Sequence, residues 1–463
     1  MTSLSIKSLD EFTYGRVPHP VTCGNGLEIG KGRVIPELNF TLSSMDINEQ
    51  TWPDILKEYK DMIHGAVRRA VELEQPELLV EFETLPPMTM RPEWGLEITR
   101  ILADELKAVS DKHGMKTALR LTPNDTREFA RPPLMRQGSY WESMLDFFNR
   151  AESAGADLLS IESTGGKELC DDALVNADLR AVVFALGVLG CRDMKFLWEH
   201  MVRSCEGTRV LPAGDSACGF ANTAMVLADK MMIPRVFAAV VRVVTVPRAL
   251  AAFTAGAVGP SKDCAYEGPY IKAIHGVPIS MEGKSAACAH FSPVGNISQA
   301  LCDCWSNESV QNVQLLSGKA PTVSAEQLIY DCRLMNAARS SSEDDALRLR
   351  DWLVESDASL DPQAYVLRPD VVLRISEKLI QVATPYEQTR VAAKCAIEEI
   401  RKGHEEGHIK LSDREVPWID MMDMAMEEIP ETEDELIEAM IPNVNPAICS
   451  LGEYGIEAET PAT

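Results

Sequence analysis

Positive charge is what this chain has least of. Against 70 aspartates and glutamates stand 45 lysines and arginines, a formal net charge of -25. A general nucleic-acid binder needs a basic face to neutralise phosphates, so that class is excluded, and an anionic membrane surface is disfavoured for the same reason. Long apolar runs are missing too. None approaches the roughly eighteen uninterrupted apolar residues of a membrane-crossing helix, so none is expected. The amino terminus, MTSLSIKSLDEF, has no apolar core of the secretory kind, which points to a cytoplasmic protein. Glycines at 24, 26, 30 and 32 do not make G-x-G-x-x-G. With no strand before them and no helix after, they read as a turn-rich lead-in to a first strand at Arg33 to Phe40. There is no H-E-x-x-H helix, nucleophile elbow, P-loop or kinase motif set.

What is present is a repeated alternation. The chain has 463 residues and is 45% hydrophobic, enough for one large core or two modest ones. Apolar positions at three and four spacing predict a helix from Thr51 to about Glu74, with Thr51 and Asp54 as a capping pair. Glu77 to Phe82 reads as a buried strand, Pro92 to His113 as a helix stopped by Gly114, and Lys116 to Thr122 as a strand. Helix (Trp141 to Ala154), strand (ADLLSIE), helix (Leu179 to His200), strand (Thr208 to Ala213) and helix (Cys218 to Met232) follow. Pro234 to Ala255 is apolar all round and therefore buried on several sides. Pro278 to Glu282 and Val310 to Leu315 are the last strand candidates. Roughly eight candidate strands alternating with helices predict a (β/α)8 TIM barrel over residues 1–320. Beyond it only helical patterns remain: Ala325 to Asn336, Ser342 to Val354, Pro369 to Ile380 and Tyr386 to Gly403. They predict a helical extension, residues 321–463, packed on the barrel. Between Asp413 and Glu438 eleven acidic residues face a single arginine, Arg414. This reads as a solvated helical face, with a docking surface as the alternative.

Chemistry-bearing side chains sit where short apolar segments end beside glycines. Glu162 follows LLSI, Cys218 follows VLPAG, and Cys264 follows AVGP. In a barrel such ends converge, and one carboxylate with two thiols makes a three-ligand zinc site with a fourth position open. Twelve cysteines in so long a chain do not read as a disulfide framework. Competing ligands exist in Cys288-Ala289-His290 and Cys302-Asp303-Cys304, whose apolar neighbours equally fit plain packing. Spacing alone leaves these alternatives open.

The segments VPHPVTCGNGLEIGKGRVIPE, ADLLSIESTGGKE, PAGDSACGFANTAM, AGAVGPSKDCAYE, SMEGKSAACAH and CDCWSNESV resemble the methanol:corrinoid methyltransferases of methanogens and some anaerobic bacteria. The likeness runs from about Tyr14 to Tyr365 and fades after about residue 370. It implies a (β/α)8 barrel with helical extensions and a zinc held by Glu162, Cys218 and Cys264. The implied reaction moves the methyl group of methanol to the Co(I) of a corrinoid. The corrinoid is expected on a partner corrinoid protein, since no D-x-H-x-x-G pattern occurs here, and a homodimer or a two-fold hetero-oligomer with that subunit is implied. A zinc at the alcohol oxygen would serve as the Lewis acid for a poor leaving group. With two thiolates and a carboxylate the centre carries about -1, so methanol is expected to react as the alcohol or with its proton shared. Asp215 is the expected neighbour for that proton, or else a group that orients the ligands. Asn222 and Lys262 are candidates for holding loops or meeting the corrinoid. Three rival readings remain. One changes the methyl donor to a methoxylated or methylamine-type compound, one is a zinc hydrolase or lyase, and one is a scaffold whose structural zinc takes Cys288 or His290 as fourth ligand.

Overall fold

Seven parallel strands form one sheet, and the inward halves of these strands decide what the molecule can hold. The computed structural model describes residues 3–42, 46–262, 264–310, 313–316 and 318–457. A hairpin, β1 (Arg16–Cys23) with β2 (Leu27–Lys31), precedes the sheet. The sheet strands are β3 (Ile35–Thr41), β4 (Glu77–Glu83), β5 (Lys116–Thr122), β6 (Leu158–Ile161), β7 (Leu211–Asp215), β8 (Ser280–Glu282) and β9 (Cys304–Val310). Their order is β7-β6-β5-β4-β3-β9-β8, and every neighbouring pair is parallel. Helices cover the outer face, as parallel sheets require.

The two edge strands are not left bare. Val258 donates its amide to the Pro212 carbonyl at 2.8 Å and Gly259 to Ala213 at 2.9 Å. Ser261 then bridges Ile279 in parallel, beside β8. Backbone groups of residues 258–261 thus link the outermost strands, β7 and β8.

Period-two alternation sorts the strands' side chains. One set begins apolar with Ile35, Leu79, Ala118, Leu158, Ala213 and Cys304, which pack with Val21, Cys23, Leu27 and Ile29 of the hairpin. Two residues on, the same faces carry Glu37, Glu81, Arg120, Ser160 and Ser306, all buried. Two further on come Asn39, Glu83, Thr122, Glu162 and Glu308. The interior thus passes from oil to charge towards the carboxyl ends of the strands. The opposite faces, Leu38, Phe40, Val80, Phe82, Leu119, Leu121 and Ile161, pack under the helices in the main core.

Several expectations shift. The glycine-rich lead-in is the β1–β2 hairpin, and the first sheet strand starts at Ile35 rather than Arg33. Gly24, at φ +51°, lies so close to β5 that a Cβ there would stand 2.3 Å from the Thr117 carbonyl oxygen. That close approach explains the glycine without any phosphate. The Thr51–Asp54 capping pair does not form, because the Thr51 hydroxyl donates instead to the carbonyls of Asp46 (2.5 Å) and Asn48 (3.2 Å). The strand expected at Thr208 to Ala213 lies at Leu211–Asp215. Of the strand expected at Val310 to Leu315, residues 311 and 312 lie outside the described residues, and Gln314–Leu315 pairs only with Gly318–Lys319. The last sheet strand is Cys304–Val310, which begins at Cys304.

Residues 235–255 form two short helices, Arg235–Val244 and Val246–Ala255, split at Thr245 just before Pro247. Together they have the length and mean hydropathy of a membrane span, but 94% of the most apolar window is buried in the protein. Arg242 and Arg248 within them are fully covered and spend their guanidiniums on Ala265, Gln363 and Ser163. The pair is therefore a core element. It packs against helices Cys191–Cys205 and Pro385–Glu405. Helix Ala320–Ser341 lies on β3, β9 and helix Trp52–Glu72. The acidic stretch after residue 413 forms helices Val416–Glu428 and Glu433–Met440. They bury Ile419, Met422, Leu436 and Ile437 and pair Asp420 and Glu433 with Arg401 and Arg192.

Candidate metal centre

Three loops at the carboxyl ends of the strands bring one oxygen and two sulfurs together. Glu162 directly follows β6 and is held by a parallel bridge to Asn124. Cys218 is the first residue of helix Cys218–Asp229, three residues after β7 ends. Cys264 lies just past the 258–261 segment and is fully buried. The ligand atoms of Glu162, Cys218 and Cys264 all lie within 4.8 Å of one another. The Cys264 thiol is 2.9 Å from Glu162 Oε1. Tetrahedral zinc with ordinary Zn–S and Zn–O bonds places its ligand atoms about 3.5–3.8 Å apart, so small side-chain movements would seat an ion. Among the described residues no fourth Cys, His, Asp or Glu joins this group. A tetrahedral ion held by these three would have its fourth position free of protein ligands.

The donor chemistry fits a dication. Burial, the neighbouring Cys218 and Glu162 push the Cys264 thiol well above its ordinary range, against a smaller pull from Lys262. A hydrogen bond with Cys264 pulls the Cys218 thiol down. Burial and the charges of Glu162, Glu282 and Glu308 outweigh it and push that thiol up to about 12. Two thiols so pressed together beside a carboxylate keep their protons until a cation replaces them. Cys218 also sits at a helix amino terminus, whose dipole favours thiolate once that charge is compensated.

Neighbouring side chains hold the three in place. Asn222 Nδ2 donates to Cys218 Sγ at 3.2 Å, from one turn along the same helix. Ser216 Oγ accepts the Ala265 amide at 2.9 Å and lies 3.6 Å from Cys264 Sγ. Glu267 accepts the Ala217 amide at 2.8 Å, which fixes the residue before Cys218. Lys262, buried, reaches Glu81 at 2.8 Å, Glu162 at 3.5 Å and Glu83 at 3.7 Å. Burial and the charge of Glu162 raise the Glu83 carboxyl even with that ammonium beside it.

Asp215 is placed differently from the three. Its Oδ2 accepts Ser163 Oγ at 2.7 Å and Trp198 Nε1 at 3.0 Å, and its Oδ1 faces the Ser163 amide at 3.3 Å and Arg248 at 3.5 Å. The carboxylate is fully buried in this set and orients Ser163, the residue after Glu162. Asp215→Asn is expected to leave metal content and the pH profile of turnover unchanged. It should lower stability by about 3 kcal/mol, because the buried Arg248 loses its counter-charge. Denaturant unfolding and metal analysis check both halves.

The other candidates separate cleanly. Cys288 is exposed on helix Lys284–Ala289, and His290 lies between Glu282 and Glu308 rather than with the two thiols. Cys302 is buried against the Gln299 carbonyl, and Cys304 packs with Cys23 under the sheet. Residue-by-residue reading missed Glu81, Glu83, Glu282 and Glu308. Their signal was present: carboxylates repeat at even spacing inside otherwise apolar strands such as ELLVEFE.

Comparison with known proteins shows the family. The family described as "Methanol-cobalamin methyltransferase B subunit" matches residues 1–453. The methanol–corrinoid protein co-methyltransferase of Methanosarcina barkeri (strain Fusaro / DSM 804) is 35% identical over 441 residues, covering 94% of each chain. The crystal structure of the methanol:cobalamin methyltransferase complex MtaBC from Methanosarcina barkeri superposes with a TM-score of 0.92 at 33% identity, over 98% of this chain and 99% of that one. Sequence, length and fold thus place the chain in the methanol-cobalamin methyltransferase B subunit family.

Proposed function

We propose that this chain transfers the methyl group of methanol to the Co(I) of a corrinoid carried by a partner protein. In this reading Glu162, Cys218 and Cys264 hold a catalytic zinc. The convergence of those three ligand atoms within 4.8 Å, with a position left open, carries the proposal. The relatives' names supply donor and acceptor. Residues 258–261 serve as the eighth stave that closes a (β/α)8 barrel, whose carboxyl-end mouth is the usual place for chemistry. Residues 1–320 then form the unit bearing the site and 321–463 a helical extension laid against it. None of the twelve cysteines is in a disulfide, which fits a reducing cytoplasm.

Zinc held there would supply Lewis acidity towards the alcohol oxygen. The chain's own residues do the rest. Asn222 and Ser216 fix the two sulfurs, and Asp215 sets Ser163 and with it the backbone carrying Glu162. Lys262 offsets the carboxylates that crowd the mouth. The apolar base formed with the hairpin leaves the polar mouth as the side from which a donor would enter.

Purified protein mixed with a reduced corrinoid partner is expected to form methyl-cobalt, read by absorbance, on addition of methanol. Faster formation from a methoxylated compound or a methylamine would replace methanol as the donor. Turnover of any substrate without corrinoid protein would point to a hydrolase or lyase.

A further inference from the structure

A second group of ligand-type side chains shares the mouth with the first. Glu282 ends β8, Glu308 lies on β9, and His290 follows helix Lys284–Ala289, which connects them. Their reactive atoms also lie within 4.8 Å of one another. His290 Nε2 stands 3.4 Å from Glu282 Oε1 and 3.5 Å from Glu308 Oε2. Glu282 is fully buried, and its other oxygen accepts the Tyr266 hydroxyl at 2.7 Å. Two non-glycine residues beside this group hold left-handed backbone, Tyr266 at φ +63° and Phe291 at φ +54°. Such strain persists only where surrounding contacts enforce it. The fold holds this imidazole where it is.

An imidazole facing two carboxylates at these distances is gripped by charge rather than by a short hydrogen bond. Its proton is both retained and transferable. His290 is 27% exposed, but its Nε2 is buried, so the ring meets solvent while the atom that faces the carboxylates is shielded. The groups facing it are Glu282, Glu308 and, from across the mouth, Glu162, with Tyr266 on the far side of Glu282. Glu308, 3.5 Å away, raises the imidazole most. Burial opposes it, the charges of Glu282, Glu308 and Glu162 add to it, and the group is pushed up to about 9. Glu308 and Glu282 in turn act on Cys218, so the two groups share one electrostatic environment.

We propose that His290, held as an imidazolium by Glu282 and Glu308, supplies the proton with which the methanol oxygen departs. The proposal rests on the methanol reading above. In the step, the Co(I) electron pair forms the cobalt–carbon bond and becomes that of methyl-Co(III). The carbon–oxygen bond breaks with its pair going to oxygen, and the Nε2 proton passes to that oxygen. The products are methyl-cobalt and water, with the imidazole left neutral. Without such a donor the leaving group is hydroxide.

The test uses the metal-loaded protein with its reduced corrinoid partner. His290→Gln is expected to lower kcat by about 10²-fold or more while metal content and the KM for methanol stay the same. In the unaltered protein kcat should fall as pH rises beyond the ordinary imidazole range, since the acid form is the working one. Glu308→Gln removes the largest stabilising contact and should move that limb to lower pH. NMR of the His290 ring in the loaded protein should report the same titration, independent of turnover. A His290→Gln rate within threefold of the unaltered protein overturns the proposal. So does a ring titrating near the ordinary 6.5, or a second metal equivalent that His290→Gln abolishes. If the unaltered protein forms no methyl-cobalt, the methanol reading fails and the proposal with it. That result is distinct from an active protein indifferent to the substitution.

Discussion

Cys264→Ser is expected to empty the metal centre and lower methyl transfer by about 10³-fold or more. Serine keeps the size of the side chain but not its acidity, and its hydroxyl does not become an anion at neutral pH as a metal-facing thiol does. The position tolerates no substitute ligand, because Cys264 is 1% exposed and its nearest partners are already committed. Ser216 is occupied by the Ala265 amide, and Lys262 carries the wrong charge. The loss follows from what the ion supplies. Lewis-acid stabilisation of a departing oxygen is worth several kcal/mol, and each 1.36 kcal/mol is tenfold in rate. Two controls separate the centre from thiols in general. Cys288→Ser, on an exposed helix turn, and Cys304→Ser, in the apolar base, should each retain metal. Elemental analysis gives metal per chain, and X-ray absorption on the loaded protein should count two sulfurs. Full metal content and undiminished methyl-cobalt formation by Cys264→Ser would remove this centre from the account.

The sequence made the ends of the strands legible but not what lies between them. Glu162, Cys218 and Cys264 stand out because each ends an apolar segment beside glycine, and the structure brings all three together. Family resemblance, not spacing, singled them out from Cys302 and Cys304, since the residues alone fit either set. Helices such as Pro92–His113, with Gly114 in the left-handed region after it, were readable because periodicity and a stop signal agree. The strand Cys304–Val310 was missed because CWSNESV has no run of aliphatics. Its inward residues pass from Cys304 in the apolar base to Ser306 and Glu308 in the polar half of the interior. The segment 258–261 carries only isolated backbone pairings, too few for any pattern of side chains to reveal it. Asp215 illustrates a further limit. A carboxylate three residues from a thiol reads as part of the centre, yet Trp198 and Arg248, from distant segments, claim it. Contacts of that kind are set by packing and leave no local trace.

Arg120→Met is expected to cost about 3–5 kcal/mol of stability, the largest loss from any single change in the sheet interior. Arg120 is fully buried on β5 and reaches parts of the chain remote in sequence. Its Nε donates to Glu37 Oε1 on β3 at 2.6 Å, its Nη1 to Ser160 on β6 at 2.8 Å and to the Pro260 carbonyl at 2.9 Å. Glu37 in turn accepts the Ser280 hydroxyl of β8. One guanidinium thus ties β3, β5, β6, β8 and the 258–261 segment, directly above the apolar layer formed with the hairpin. Methionine fills similar volume but leaves Glu37 charged, buried and without its partner. That uncompensated charge, more than the lost hydrogen bonds, sets the magnitude. The double variant Arg120→Met with Glu37→Gln removes both charges. It should be less destabilised than the sum of the single changes, by about 1–3 kcal/mol of coupling. Because Pro260 lies four residues before Cys264, loosening the Arg120 contact should also weaken metal retention under chelator, with no ligand altered. Denaturant midpoints for the two single variants and the double one, with metal release rates beside them, decide the matter. Strict additivity, or a loss under about 1 kcal/mol, would mean that hairpin and helices hold these strands together without the buried pair.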